Sequence, residues 1–193
     1  MRSYRLSRPF DISLESYGGS QMWFPQKYQL QTGCGPVALA NLYAWYRNLR
    51  LNQSDMTRLQ ELITRFLSGP VVLPQQFIRG ARRLFERSGF HLDPIRQTLF
   101  RHSPKGRERV LRLIISSLET DHPLPLLMGP NRPGAVYRRD FKNHWVLITG
   151  LDLEAERAVL HVSSWGSPFE VDLDQLIQSK LFISVLSLRV SRQ

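Results

Sequence analysis

The spacing of apolar residues changes once along the chain, from helical periodicity before residue 120 to short strand-like runs after it. Helical spacing predicts helices at Pro36 to Tyr46, Ser54 to Leu67, about Pro74 to Arg87, and Gly106 to Glu119. Strands are predicted at Leu124 to Met128, His144 to Gly150, Ala158 to Ser163, Phe169 to Val171 and Phe182 to Val190, with a short helix at Leu173 to Ser179. Helices first and strands second indicate an α+β fold with a mainly antiparallel sheet.

The length and composition indicate one folded domain. Of the 193 residues, 42% are hydrophobic and 10% aromatic, which is too apolar for a disordered chain despite a net charge of +10. We expect a helical lobe of about residues 1–120, irregular over its first 30 residues, and a sheet lobe of about residues 121–193. No apolar stretch resembles a signal peptide or a transmembrane segment, so we expect a cytoplasmic protein.

The positive charge is concentrated in the middle of the chain. Between Arg79 and Arg112, ten Lys or Arg residues face three acids, a net charge of +7. Such a segment would suit an acidic partner, or it is a solvated helical face. No nucleic-acid motif accompanies it, which argues against a nucleic-acid partner.

Cys34 is the only cysteine, so an intrachain disulfide and a two-cysteine zinc or redox motif are excluded. It stands between Gly33 and Gly35, directly before the predicted buried helix. Backbone donors at a helix N-terminus stabilise a thiolate, and small neighbours would leave room for a substrate. A free cysteine is also often an inert core residue, and its local sequence leaves both interpretations open.

His144 supplies a partner for such a thiol. It begins a strongly apolar strand more than 100 residues after Cys34, so the two side chains would arrive from separate elements. An imidazole across a cleft could take the thiol proton and later return one to the leaving group. The other histidines, His91, His102, His122 and His161, show no metal-ligand spacing with one another or with Cys34, and we expect no metal site.

Three sequence blocks together resemble the signature of papain-like cysteine peptidases. They are residues 33–40 (GCGPVALA), 143–150 (NHWVLITG) and 162–166 (VSSWG), the last followed by 169–176 (FEVDLDQL). Their order and spacing are most similar to the bacteriocin-processing branch, which cleaves double-glycine leaders. The resemblance covers about residues 29–178 and implies a papain-like fold and a peptide or protein substrate, with no cofactor.

The same resemblance implies a role for each site residue. Cys34 would be the nucleophile and His144 the general acid and base. A glutamine before the cysteine would donate a hydrogen bond to the oxyanion; Gln29 has the more suitable offset and Gln31 is the alternative.

The third position of the catalytic triad departs from the family pattern. Asn or Asp is usual there, and the alignment places Ser163 at this position. A serine hydroxyl can orient an imidazole but brings no charge to stabilise the imidazolium. Two hypotheses follow: a cysteine hydrolase, or a papain-like pseudoenzyme that binds a partner through its basic surface. A transferase with the same acyl-enzyme is equally compatible with these residues.

Overall fold

The computed structural model describes residues 1–67, 72–99, 103–129, 141, 143–155, 157–179 and 181–192. Its helices are α1 (Lys27–Thr32), α2 (Cys34–Tyr46), α3 (Gln53–Thr64), α4 (Pro74–Arg87), α5 (Pro104–Glu119) and α6 (Leu173–Gln178), and one 3₁₀ turn covers Gln21–Trp23. Its strands are β1 (Arg2–Arg5), β2 (Phe90–Leu99), β3 (Leu124–Met128), β4 (His144–Leu153), β5 (Ala158–Ser164), β6 (Ser167–Asp172) and β7 (Ile183–Arg192). None of the described helices has the length and apolar character needed to span a membrane.

The helix boundaries follow their capping residues. α4 has the bounds that the sequence predicts, with Pro74 in its first turn, where a missing N–H costs nothing. α3 begins one residue earlier than predicted because the side chain of Asn52, rather than Ser54, accepts the hydrogen bond from the Asp55 N–H at 2.9 Å. α5 likewise begins early because Ser103 caps its first turn.

Helix α2 is the buried centre of the fold, as its apolar sequence predicts. Ten of its thirteen residues are buried, and it packs against α3, α4 and the strands β3 and β4. A helix that is apolar on nearly every face requires such surroundings. The first residue of α2, Cys34, is consequently held at a fixed place beside the sheet.

The sheet is antiparallel at every described pairing. Its strand order is β2-β7-β3-β4-β5-β6, and β1 pairs with β4 outside this path. β3 pairs with residues 144–148 of β4, and β1 pairs with residues 150–153. The pairing of Met128 with His144 fixes the start of β4 at one end of the sheet.

Two strands come from the part of the chain that was expected to be helical. β1 lies within the first 30 residues, which the sequence indicates as irregular, and β2 precedes residue 120. The division into a helical lobe before residue 120 and a sheet lobe after it therefore does not hold. β2 was not predicted because Pro94 interrupts its strand-like sequence pattern. Proline is tolerated there because β2 is an edge strand of the sheet. One hydrophobic core joins the helices to the sheet.

Candidate active site

Cys34 is the first residue of α2, which begins two residues before the predicted start at Pro36. Helix α1 leads directly into this position, because the Gly33 N–H donates to the Gln29 carbonyl at 2.8 Å. The half-buried Cys34 side chain reaches the start of β4, where its Sγ lies 3.9 Å from the carbonyl oxygen of Asn143. The structure thus brings the thiol to the backbone next to His144, across 109 residues of sequence.

Burial raises the pKa of the Cys34 thiol above its ordinary value. The backbone N–H groups of Trp145, Gly35 and Cys34 itself oppose this by favouring the thiolate, but burial outweighs them. The helix N-terminus therefore does not produce the lowered thiol pKa that the sequence context predicts. The thiol is neutral near pH 7.

His144 is enclosed by aromatic rings and by one serine. It is 6% exposed, its ring stacks on Trp165 with centroids 4.2 Å apart, and Phe141 approaches it edge-on at 5.9 Å. Its Nε2 lies 2.7 Å from the hydroxyl of Ser164, within hydrogen-bond distance. Burial lowers the pKa of His144 to about 4, so the imidazole is neutral near pH 7.

The Cys34–His144 pairing therefore combines two neutral groups. A thiolate–imidazolium pair formed before substrate binds would need the opposite shifts, with the pKa of the thiol below that of the imidazole. Both shifts have the same physical cause, since a closed apolar site disfavours each charged form. Proton transfer between two such neutral groups would accompany attack on a substrate rather than precede it.

Ser163 does not occupy the orienting position that the sequence predicts. Its hydroxyl donates to the Tyr17 carbonyl at 2.7 Å and accepts from the Asn41 side chain at 3.4 Å. Asn41 in turn accepts from the Gly19 N–H at 2.8 Å. Ser163 thus holds the N-terminal segment against α2 and β5, and Ser164 faces His144 instead.

The sequence could not distinguish these serines because their difference depends on the register of one hairpin. Trp165 and Gly166, both with positive φ, form the turn between β5 and β6, and Ser164 pairs with Ser167 across it. This turn aims Ser164 and the Trp165 ring at His144.

Of the two candidate glutamines, only Gln29 is buried. It is 7% exposed, and its amide oxygen is buried without a hydrogen-bond partner among the described residues. Gln31 is exposed on the outer side of α1. Burial thus distinguishes Gln29 from Gln31, and a second buried glutamine, Gln21, donates its amide to the Leu30 carbonyl.

The glycines beside Cys34 serve packing rather than substrate access. A Cβ at Gly33 would lie 2.4 Å from the Phe24 ring and 2.5 Å from the Gln29 carbonyl oxygen. A Cβ at Gly35 would lie 2.9 Å from a methyl group of Val72. Neighbouring protein atoms leave no room for a side chain at either position. Packing within the protein therefore explains both glycines without any requirement from a substrate.

Asp152 and His161 contact each other and Arg5 rather than the proposed catalytic residues. Burial raises the pKa of Asp152, but hydrogen bonds from Ser3, His161 and Arg5 outweigh it and lower the pKa to about 2. This cluster ties β1 to β4 and β5. In the part of the chain that the structure describes, no three His, Cys, Asp or Glu side chains converge to hold a metal ion; His102 lies outside that part.

Comparison with known proteins supports the fold alone. No protein-family model matches the sequence, and no curated protein matches it. A solved structure, that of UfSP from C. elegans, matches with a TM-score of 0.53 over 97% of this chain, at 10% sequence identity. This chain covers 34% of the UfSP chain, about a third of its length. The chain has the papain-like α+β fold that the sequence predicts.

Proposed function

We propose that the protein is a cysteine hydrolase that cleaves a peptide or amide bond through an acyl-thioester on Cys34. The observation that carries the proposal is the position of the Cys34 Sγ against the backbone that flanks His144, 3.9 Å from the Asn143 carbonyl. Asn143 and Trp145 lie on either side of His144, and both contact the sulfur. A thiol at the start of a buried helix thus lies against the backbone that flanks a histidine from a separate strand, in a papain-like fold, which supports the roles of nucleophile and base.

His144 transfers protons during the reaction. In the proposed tautomer the ring proton is on Nε2 and is donated to Ser164, which leaves Nδ1 to take the thiol proton as Cys34 attacks the substrate carbonyl. The same nitrogen then gives this proton to the leaving amine, and water hydrolyses the thioester. The stacked Trp165 excludes water from the ring and keeps it neutral before the attack, so the imidazolium exists only between the two proton transfers.

The developing oxyanion requires hydrogen-bond donors. The Cys34 N–H at the start of α2 and the amide of the buried Gln29 are the proposed donors. Loss of one such donor typically costs about 2.7–4 kcal/mol of transition-state stabilisation. Gln29→Ala should therefore lower kcat at least a hundredfold, whereas the exposed Gln31→Ala should leave it unchanged.

A proteome-derived peptide library tests the proposal, because it presents many candidate bonds at once. The native protein should generate new peptide termini from the library, and Cys34→Ala and His144→Ala should generate none. Mass spectrometry of acid-quenched samples should show an acyl adduct on Cys34. Termini that persist in Cys34→Ala would disprove the proposal.

The substrate class and the reaction outcome are finer proposals. The resemblance to bacteriocin-processing peptidases suggests a double-glycine leader, and the same acyl-enzyme could be transferred to an amine instead of water. A library enriched in Gly-Gly sequences, incubated with and without an added amine, separates these outcomes. We propose that the protein acts in the cytoplasm, where a nucleophilic thiol stays reduced.

The exposed face of α4 favours a second candidate function, that of a pseudoenzyme that binds an acidic partner. Gln76, Arg79, Arg82 and Arg83 line a groove of about 450 Å³. Among the described residues, no acidic side chain forms an ion pair with these arginines. If the protein is a pseudoenzyme, replacement of the three arginines by glutamine should abolish partner binding, and Cys34→Ala should leave binding intact. If it is a hydrolase, Cys34→Ala should abolish acyl transfer, and the arginine replacements should leave acyl transfer intact.

A further inference from the structure

A cavity of about 390 Å³ lies beside the residues that flank Cys34. Gly33 and Pro36 line it from the start of α2, and Gln29 lines it from α1, one helical turn before Gly33. Val72 closes another side, and its carbonyl accepts a hydrogen bond from the indole N–H of Trp145 at 2.8 Å. The cavity is therefore lined by Gly33, the residue before Cys34, and by Val72, which is hydrogen-bonded to Trp145, the residue after His144.

The two threonine hydroxyls among the lining residues can accept further hydrogen bonds but have no proton left to donate. The hydroxyl of Thr64 donates to the Gln60 carbonyl at 3.0 Å, and that of Thr32 donates to the Tyr28 carbonyl at 2.9 Å. Both hydroxyl protons are therefore already in hydrogen bonds, while a lone pair on each oxygen remains free to accept a hydrogen bond from a ligand. The amide oxygen of Gln29 is buried without a partner among the described residues, a condition that costs about 1–3 kcal/mol.

The cavity wall carries no formal charge among the described residues. Leu67 and Val72, each 5% exposed, and Pro36 supply apolar surface, and Tyr28 lies at the rim, 58% exposed. A carboxylate or an ammonium group would lose its hydration here without finding an opposite charge. The volume falls within the range of about 300–1,000 Å³ that is usual for ligand pockets.

We propose that this cavity is the specificity pocket of the site and takes a large uncharged substrate residue whose side chain ends in a hydrogen-bond donor. Glutamine and tyrosine have this chemistry, since each combines an apolar stem with an N–H or O–H donor. The inference rests on the proposed function and names the substrate class of the same site. It differs from the double-glycine expectation, because glycine would leave the cavity empty.

Peptidyl acyloxymethyl ketones test the assignment, because they alkylate an active-site thiol after binding as substrates do. A matched series would carry Gln, Tyr, Leu, Glu, Lys or Gly next to the reactive carbon, with the rate of Cys34 modification followed by mass spectrometry. The Gln and Tyr probes should react at least tenfold faster than the Leu, Glu, Lys and Gly probes. A Gly probe that reacts as fast as the Gln probe would overturn the pocket assignment.

A filled cavity provides the second test. Thr64→Phe should slow the Gln probe at least tenfold relative to the rate of modification by the small reagent iodoacetamide, which is measured on the same variant. Thr57→Phe is the matched control, since Thr57 lies on the same helix, makes the same hydroxyl-to-carbonyl bond at 2.8 Å, and lies outside the cavity. If Thr64→Phe does not fold, Thr64→Val should reduce the preference for Gln over Leu at least threefold.

The outcomes separate the pocket from the catalytic proposal. If Cys34 reacts in a His144-dependent manner but Thr64→Phe reacts with the Gln probe at the native rate, the pocket assignment is wrong and the hydrolase stands. If no probe of the series modifies Cys34 in the folded protein, the proposed function fails, and the pocket assignment fails with it.

Discussion

The imidazole Nε2 of His144 lies 2.7 Å from the hydroxyl of Ser164, whereas the hydroxyl of the preceding Ser163 donates to the carbonyl of Tyr17. Two adjacent serines on one strand therefore have different tasks. One orients a buried imidazole, and the other fastens the N-terminal segment to the core.

Substitution of these serines should separate their tasks. Ser164→Ala should lower kcat/KM about five- to tenfold, because a neutral hydrogen bond of about 1 kcal/mol no longer holds the ring. Ser163→Ala should leave kcat/KM within about twofold but lower the free energy of unfolding by about 1–3 kcal/mol, since it leaves buried polar groups unpaired. ¹⁵N chemical shifts of the His144 ring should show a disturbed tautomer in Ser164→Ala only. The same disturbance in Ser163→Ala would contradict the assignment.

The pH dependence of alkylation should show a raised pKa of the Cys34 thiol. Because the chain has one cysteine, iodoacetamide reports on this thiol alone. The apparent pKa should exceed the value of about 8.5 for a free cysteine, since burial dominates over the backbone donors. A pKa well below this value that rises in His144→Ala would show a preformed thiolate–imidazolium pair and contradict the structure.

Removal of the Trp165 ring should raise the pKa of His144. The stacked indole is part of the burial that lowers this pKa to about 4, so Trp165→Ala should move it toward the ordinary value of about 6.5. Trp165→Phe retains an apolar ring and should produce a smaller shift. NMR titration of the ring protons measures both, and an unchanged pKa in Trp165→Ala would refute the role of this ring.

Stability should fall as the pH is lowered from about 6.5 to 4. In this range His144 binds a proton in the unfolded state but not in the folded state, so acid favours unfolding. The shift corresponds to about 3 kcal/mol, lost progressively as the pH falls through this window. Urea denaturation of the native protein and of His144→Gln at several pH values isolates the effect. Equal slopes in the two proteins would rule out this contribution.

Gly33→Ala should disturb the reactive thiol through packing. Its Cβ would meet the Phe24 ring and the Gln29 carbonyl, and overpacking of this kind costs about 1–3 kcal/mol. The start of α2 must move, so the alkylation rate of Cys34 should also change. Gly89→Ala is a control, because Gly89 has positive φ and open space around its Cα. It should destabilise the protein without altering the alkylation rate.

The spacing of apolar residues and the capping residues predicted those helices and strands whose formation depends on nearby sequence. The buried helix α2, the bounds of α4 and the apolar strands β3 to β5 follow from residue spacing and caps. β1 was missed because its sequence, RSYR, is polar and its pairing with β4 depends on residues about 150 positions away. The pKa shifts at Cys34 and His144 were also beyond prediction, since both depend on how deeply the assembled fold buries each group.

The contacts of the N-terminal segment bear on the order in which the protein forms during synthesis. Arg5 pairs with Gly150, and the Tyr17 N–H donates to the Gly166 carbonyl at 2.9 Å. The partners of Arg5 and Tyr17 in these two contacts lie about 150 positions later in the sequence, so neither contact can form until β4 and the turn after β5 have been made. The helices before them can form earlier, but Cys34 reaches the backbone beside His144 only when β4 joins the sheet. A chain that stalls before β4 therefore carries an unassembled thiol, and Cys34 gains its native surroundings only once β4 has been made.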